Sequence, residues 1–318
     1  METGNGLSTP SEQRSQRPRR RRISGKGPET LWGDRAPLVL VPLDGSAEAK
    51  QALPAARLFA RLVGASIHVV HATDVPLTPK QLLQAVGLRR DETHDIVIDQ
   101  VSGPAASAVV RLATEKRAML IVMTTRGCTA YQGRTLRPVV EEIVLNAPCP
   151  VLLIRPELEP RIAEMSDLRR ILLPLDGAPS SAAVIGPALN LAAASHAELH
   201  ILYVATQRER PVETGTLTTP RYVDQPQHEW PAWAKEFMSR FATLLGEWPL
   251  STPTRMALRR GDPAEAILRF ADETDSDLIV LSWQGCLEPA RAKVVKKVLE
   301  NAPCPVLLLR TTTTAAQP

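Results

Sequence analysis

Residues 146–155 read NAPCPVLLIR and residues 301–310 read NAPCPVLLLR, nine of ten positions identical. In each copy an asparagine follows an apolar-patterned helix, where it is expected to adopt the left-handed conformation that ends many helices. Two prolines then bracket a cysteine. Proline stops a helix and cannot donate to a central ladder. The short apolar run that follows, closed by Arg155 or Arg310, fits the last strand of a buried sheet. A repeat this long means that one kind of domain occurs twice.

The chain upstream of each copy supports that reading. LVLVPLDG at 38–45 is an apolar strand ending in Asp44-Gly45, and Ser46 can cap the helix after it, with Glu48 in the first turn. Apolar residues from Leu53 to Val63 recur at helical spacing. SIHVVH (66–71), HDIVIDQ (94–100) and MLIVMT (119–124) read as further strands. Residues 78–90 hold room for a short helix, and Pro104 opens another. ILLPLDG at 171–177 restarts the series, and ELHILYV (198–204) and GDPAEAILRFADETDSDLIVLS (261–282) continue it. Strands alternating with helices give an α/β fold: two repeated doubly wound domains, each a five-stranded parallel sheet with helices on both faces. About 27 extra residues lie before the second domain's third helix. There Trp230, Trp233, Phe237, Phe241, Leu244, Leu245 and Trp248 recur at spacings of three and four, the pattern of a packed helix face.

Residues 1–36 differ in kind. They carry eight basic and four acidic residues, a balance of +4 that equals the net charge of the whole 318-residue chain. The folded part is then neutral, and the alkaline balance belongs to the arm. The boundaries expected are a disordered basic arm at 1–36, a first domain at 37–156 and a linker at 157–168. A second domain follows at 169–310, and a disordered tail at 311–318. Arg19–Arg22 could touch nucleic acid or an anionic surface, or simply be solvated; beyond the arm, nucleic acid is not an expected partner. No apolar run approaches the roughly 20 residues that span a bilayer, and the arm lacks the hydrophobic segment of a secretory signal. Cys128, Cys149, Cys286 and Cys304 lie far apart, without a CxxC pair or neighbouring histidines, which fits reduced thiols in the cytoplasm.

The combination PLDG, GDPAEAI, DLIVLS and APCPVLL resembles the universal stress protein family in its tandem two-domain form. The resemblance runs through nearly all of 37–310, in order and twice. It implies the adenine nucleotide alpha hydrolase-like version of the α/β fold, a cytoplasmic location, pairing of domains about a two-fold axis, and a regulatory rather than catalytic role. Many members bind ATP or AMP and others do not.

In a doubly wound sheet, ligands settle outside the carboxyl ends of the strands where the winding reverses. Asp44 and Asp176 end the first strand of each domain and could accept from a ribose hydroxyl or an adenine amine. The family's nucleotide binders carry Gly, two residues, Gly, nine residues, then Gly-Ser or Gly-Thr. At those places the first domain has Thr124, Gly127 and Arg137-Pro138. The second has Ser282, Gly285 and, after a loop three residues shorter, Ala292-Lys293. Arg137 puts bulk where backbone should meet phosphate, and Pro138 removes a donor. Trp283 is expected to add bulk beside the second crevice. Arg126, Arg134 and Arg137 either supply guanidinium groups in place of the lost donors or belong to an exposed loop. An Asp before Gly is also a common turn residue.

An enzyme is the competing class, but Ser46 reads as a cap, and Gly25-Lys26 has Arg20 where a Walker loop needs glycine. His68, His71, His196 and His200 lie on or beside the second strand of each domain and read as packing. A third class is a non-nucleotide-binding interaction module whose open terminal strands, 151–155 and 306–310, pair with each other and with partner proteins. The expectation is a stress-linked regulator with two internally paired domains, taking ATP or AMP, if any nucleotide, in the first. A homodimer and an unknown regulatory protein stay open as partners.

Overall fold

A computed structural model of the chain describes residues 36–125, 138–205, 252–283 and 289–311. The first repeat contributes β1 (Ala36–Pro42), β2 (Ser66–Ala72), β3 (Ile96–Val101), β4 (Ala118–Thr124) and β5 (Val151–Ile154). The second contributes β6 (Arg170–Leu175), β7 (Glu198–Ala205), β8 (Thr254–Arg260), β9 (Leu278–Trp283) and β10 (Val306–Arg310). Within each repeat every pairing is parallel, in the orders β3-β2-β1-β4-β5 and β8-β7-β6-β9-β10.

The two sheets are one. β5 and β10 pair antiparallel, Leu153 with Val306, Leu152 with Leu307 and Val151 with Leu308, and complete a ten-stranded sheet. Leu152 and Leu307 are the same position of the repeated stretch, so an internal two-fold axis passes between them. This is the self-complementary contact of a symmetric dimer, made here within one chain. The terminal strands therefore do pair with each other. They are interior strands as a result and have no edge left for a partner protein; among the described strands the outer edges are β3 and β8.

Each sheet face carries a continuous apolar layer. One holds Val41, Phe59, Ile154, Ile162, Leu189 and Leu307, under α2 (Leu53–Val63), α6 (Glu159–Glu164) and α8 (Ile185–Ser195). The other holds Leu40, Val109, Ile143, Phe270, Trp283 and Leu308, under α4 (Ala105–Glu115), α5 (Pro138–Asn146), α9 (Pro263–Glu273) and α10 (Pro289–Asn301). Both layers cross from one repeat into the other, which makes the seam as apolar as either core.

Two local expectations change. The helix after β1 is not continuous: α1 (Ala47–Lys50) ends and α2 begins at Leu53. Pro54 has no N–H for the Lys50 carbonyl, and its ring would strike that group. Pro187, one position later in the second repeat, likewise has no N–H for the Ala183 carbonyl just past α7 (Pro179–Ala182). Nor do Asn146 and Asn301 turn left-handed; the described non-glycine residues with positive φ are Arg117, His196 and Asp275. Each asparagine is the last helical residue and donates Nδ2 to the carbonyl four residues back, Glu142 at 2.8 Å and Lys297 at 2.9 Å. The side chain satisfies a last-turn carbonyl without any reversal of the backbone. The aromatic series at 230–248 and the arm at 1–35 lie outside the described residues.

Candidate functional site

The winding reverses between β1 and β4 in the first repeat and between β6 and β9 in the second. At both places the ladder stops early. The β1–β4 register ends at Leu40 with Ile121, although β1 runs to Pro42 and β4 to Thr124. Leu43 donates its N–H to Val70 of β2 at 3.0 Å. Successive residues of a strand point their N–H groups to opposite sides, so the Pro42 nitrogen faces β4 with no hydrogen to give. The β6–β9 register likewise ends at Leu172 with Ile279, two residues before Pro174. The proline of each PLDG thus releases the strand ends from each other at the switch point. A proline inside a central strand is tolerated because its missing donor faces a gap.

Asp44 stands at the lip of the first gap. Its Oδ1 accepts from the Ser46 backbone N–H at 3.0 Å and from the Ser46 hydroxyl at 2.6 Å, while Ser46 Oγ accepts from Ala49 N–H at 3.1 Å. The carboxylate is exposed but oriented, because turn and helix cap share one hydroxyl. Gly45 is held at φ +85, and a Cβ there would stand 2.4 Å from the Ala85 carbonyl oxygen. The end of α3 (Pro79–Ala85) therefore packs on the Asp44 turn, backbone to backbone. Thr124 is buried at the end of β4, in register with Ile154 of β5.

The second gap is built with less. Asp176 is exposed and accepts from Ala178 N–H at 3.1 Å. Ala178 stands where the first repeat has Ser46, so that position supplies no hydroxyl and the N-cap of α7 makes no side-chain hydrogen bond. Tyr203 of β7 lies buried next to Leu175, and burial, reinforced by the negative charge of Asp176, raises its phenol above the ordinary tyrosine value. Its counterpart is His71, whose Nδ1 contacts the Leu43 carbonyl at 2.9 Å; a carbonyl only accepts, so Nδ1 carries the proton. The equal spacing of 132 residues from His71 to Tyr203 and from Ser46 to Ala178 is the sequence signal for both differences. Ser282 is half-buried beside Leu309 of β10.

Trp283 does not lie beside the second crevice. Its indole turns towards the seam, where Nε1 donates to the Val144 carbonyl of α5 at 3.0 Å, and the residue is buried. Arg126, Gly127, Arg134, Arg137 and Gly285 fall outside the described residues. The structure thus brings Asp44 and Thr124, and Asp176 and Ser282, to the two switch points.

The histidines hold structure. His68 Nδ1 lies 2.6 Å from Asp99 Oδ2, and Lys116 Nζ donates to Asp99 Oδ1 at 2.8 Å. His196 ends α8 in the left-handed region. Buried His200 meets the Phe270 ring edge-on and lies 3.1 Å from the Glu198 carboxylate. Among the described residues no group of three or more His, Cys, Asp or Glu could hold a metal ion, and no helix is long and apolar enough to cross a membrane.

Two α/β repeats, fused across their last strands and each opened at its switch point beside an aspartate, define a tandem protein of the doubly wound class with a paired crevice. The model of the universal stress protein family matches residues 76–155 and 167–310, and the chain belongs to that family. It is similar to a Thermus aquaticus universal stress protein encoded in the QAH/OAS sulfhydrylase 3' region, 33% identical over 135 residues. That match covers 37% of this chain and 97% of the relative. Among solved structures it resembles a functionally unknown protein from Pseudomonas aeruginosa PAO1, with a TM-score of 0.59 and 16% identity over 87% of this chain and 93% of that one. A universal stress protein from Archaeoglobus fulgidus superposes with a TM-score of 0.57 and 16% identity over 87% and 97%. At such identities the two structures establish the fold alone.

Proposed function

We propose that this member of the universal stress protein family is a regulatory binding protein, not an enzyme, that takes an adenine nucleotide, ATP or AMP, in the first crevice. The observation that carries the reading is the oriented Asp44 carboxylate at the lip of a switch point opened by Pro42. An acceptor held in place at the end of a sheet suits the hydroxyls of ribose or the amine of adenine. Arg126 and Arg137 flank the same gap in sequence and are the groups assigned to phosphate. The second crevice is proposed to bind more weakly, because Ala178 brings no hydroxyl to the place where Ser46 orients Asp44.

The test is calorimetric titration of the full chain with ATP, ADP and AMP in the presence of Mg²⁺. Saturable binding that Asp44→Ala abolishes and Asp176→Ala leaves nearly intact is the expected result. Equal effects of the two substitutions remove the asymmetry. No heat and no thermal stabilisation at millimolar nucleotide remove nucleotide binding altogether.

The other reading is a protein-interaction module acting through its paired domains. The consumption of β5 and β10 in the seam confines any strand-adding partner to β3 or β8. Of these, β8 carries Arg255, Arg259 and Arg260, charges of the kind that guard an edge, whereas β3 carries neither lysine, arginine nor proline.

A further inference from the structure

The residue before Asp44 is held at both ends by β2. Leu43 donates its N–H to the Val70 carbonyl at 3.0 Å, and its own carbonyl accepts from His71 Nδ1 at 2.9 Å. The two bonds differ in kind. The first extends the parallel ladder, whose register ends at Pro42 with Val70. In a continued ladder the next rung would be a backbone N–H of β2 on the Leu43 carbonyl. Here a side chain, the half-buried imidazole of His71, reaches that carbonyl. The second repeat keeps the ladder for one residue more: β6 runs to Leu175, in register with Tyr203 of β7, and these two are the counterparts of Leu43 and His71. Tyrosine carries no polar atom at the place of Nδ1.

The Leu43 carbonyl, the Asp44 nitrogen and the Asp44 Cα lie in one peptide plane. A bond to that carbonyl therefore sets the direction in which Asp44 leaves the sheet. On the reading of this crevice as a nucleotide site, we infer that His71 is a positioning residue for it: the imidazole fixes the peptide plane that carries Asp44. Ser46 then orients the carboxylate within the turn. Two side chains thus aim the first carboxylate, and the second repeat has Tyr203 and Ala178 at those two places.

The experiment compares the full chain with its His71→Asn and His71→Leu variants. Asparagine places an amide nitrogen where imidazole has Nδ1, so it keeps the donor and gives up ring volume. Leucine keeps more of the volume and gives up the donor. Packing and positioning therefore predict opposite orders for the two variants. On titration with ATP and Mg²⁺, His71→Asn is expected to bind within about threefold of wild type, and His71→Leu to bind more weakly by about fivefold or more, because the Leu43 carbonyl has lost its donor. A His71→Leu affinity equal to wild type, or a His71→Asn affinity as weak as that of His71→Leu, overturns the inference and leaves His71 a packing residue. If wild type does not bind, the nucleotide proposal fails by itself, and amide hydrogen exchange at Asp44, Gly45 and Ser46 decides the positioning. Exchange there faster by about threefold or more in His71→Leu than in His71→Asn supports it; equal rates or the reverse order overturn it. His71→Gln, which carries its amide one bond further out, takes the place of a His71→Leu that does not fold.

Discussion

Arg155 donates from Nη1 to the carbonyl of Ala302 at 3.1 Å, and Arg310 returns the contact to the carbonyl of Ala147, also at 3.1 Å. Each repeat thus closes on the other with the last residue of NAPCPVLL(I/L)R, capping the chain just past the partner helix. The arginine that ends each strand in the sequence is a fastener of the seam.

Arg155→Ala and Arg310→Ala are therefore expected to destabilise the chain by similar amounts, about 1.5 kcal/mol each, as befits a charged donor to a carbonyl. Urea titration checks this through the midpoint. A loss from one substitution only would show that the symmetry of the distances hides an asymmetry of energy.

Gly45→Ala meets two obstacles at once. The residue sits at φ +85, which costs an L side chain about 1–2 kcal/mol, and its Cβ would fall 2.4 Å from a backbone oxygen that has no rotamer to yield. A loss of about 3 kcal/mol or more is expected, with the Asp44 turn displaced. Gly64→Ala is the control: φ is +68 but nothing lies within 4 Å, so only the backbone cost of about 1 kcal/mol remains. Thermal melts of the two variants side by side decide it.

Arg57 of α2 grips Asp95 with Nε at 2.9 Å and Nη2 at 3.1 Å, and reaches the Glu92 carbonyl at 2.8 Å. The hydrogen bond from Arg57 holds the Asp95 carboxyl below its usual range against some opposing burial. A depressed value in the folded state means that the stabilisation is complete above the unfolded value, about 3.9, and is lost as pH falls through the folded one. The pair is about one-third exposed, so its worth is about 1 kcal/mol or less. The melting difference between wild type and Asp95→Asn should be constant above about pH 5 and vanish in acid. A difference that persists at pH 2 would mean that Asp95 acts through packing.

Cys149 and Cys304 are free and buried, and burial pushes the Cys304 thiol up to about 12. The nucleophile is the thiolate. In the full chain with Cys128→Ser and Cys286→Ser, no thiol should react with Ellman's reagent at pH 8 until denaturant is added. Rapid labelling without denaturant would show that the seam opens.

The sequence by itself determined the repeat, the strand and helix order, and the two aspartates at the strand ends. These depend on local chemistry: period-two and period-3.6 apolar patterns, prolines that break helices, glycines that reverse a turn. Where that local chemistry offered two solutions, tertiary structure chose. Asn146 and Asn301 could have turned left-handed, and instead stay helical and donate back to their own helices, while Ala147 and Ala302 just beyond them accept from arginines of the other repeat. Trp283 looked like an obstacle at a crevice from its place in the chain. Its direction is set by an orphan carbonyl of α5, 139 positions away, which no local pattern records. The opening of the crevices is likewise a matter of alignment. Pro42 and Pro174 are plain in the sequence, but only the pairing of neighbouring strands decides which edge lacks a donor, and so where the sheet parts.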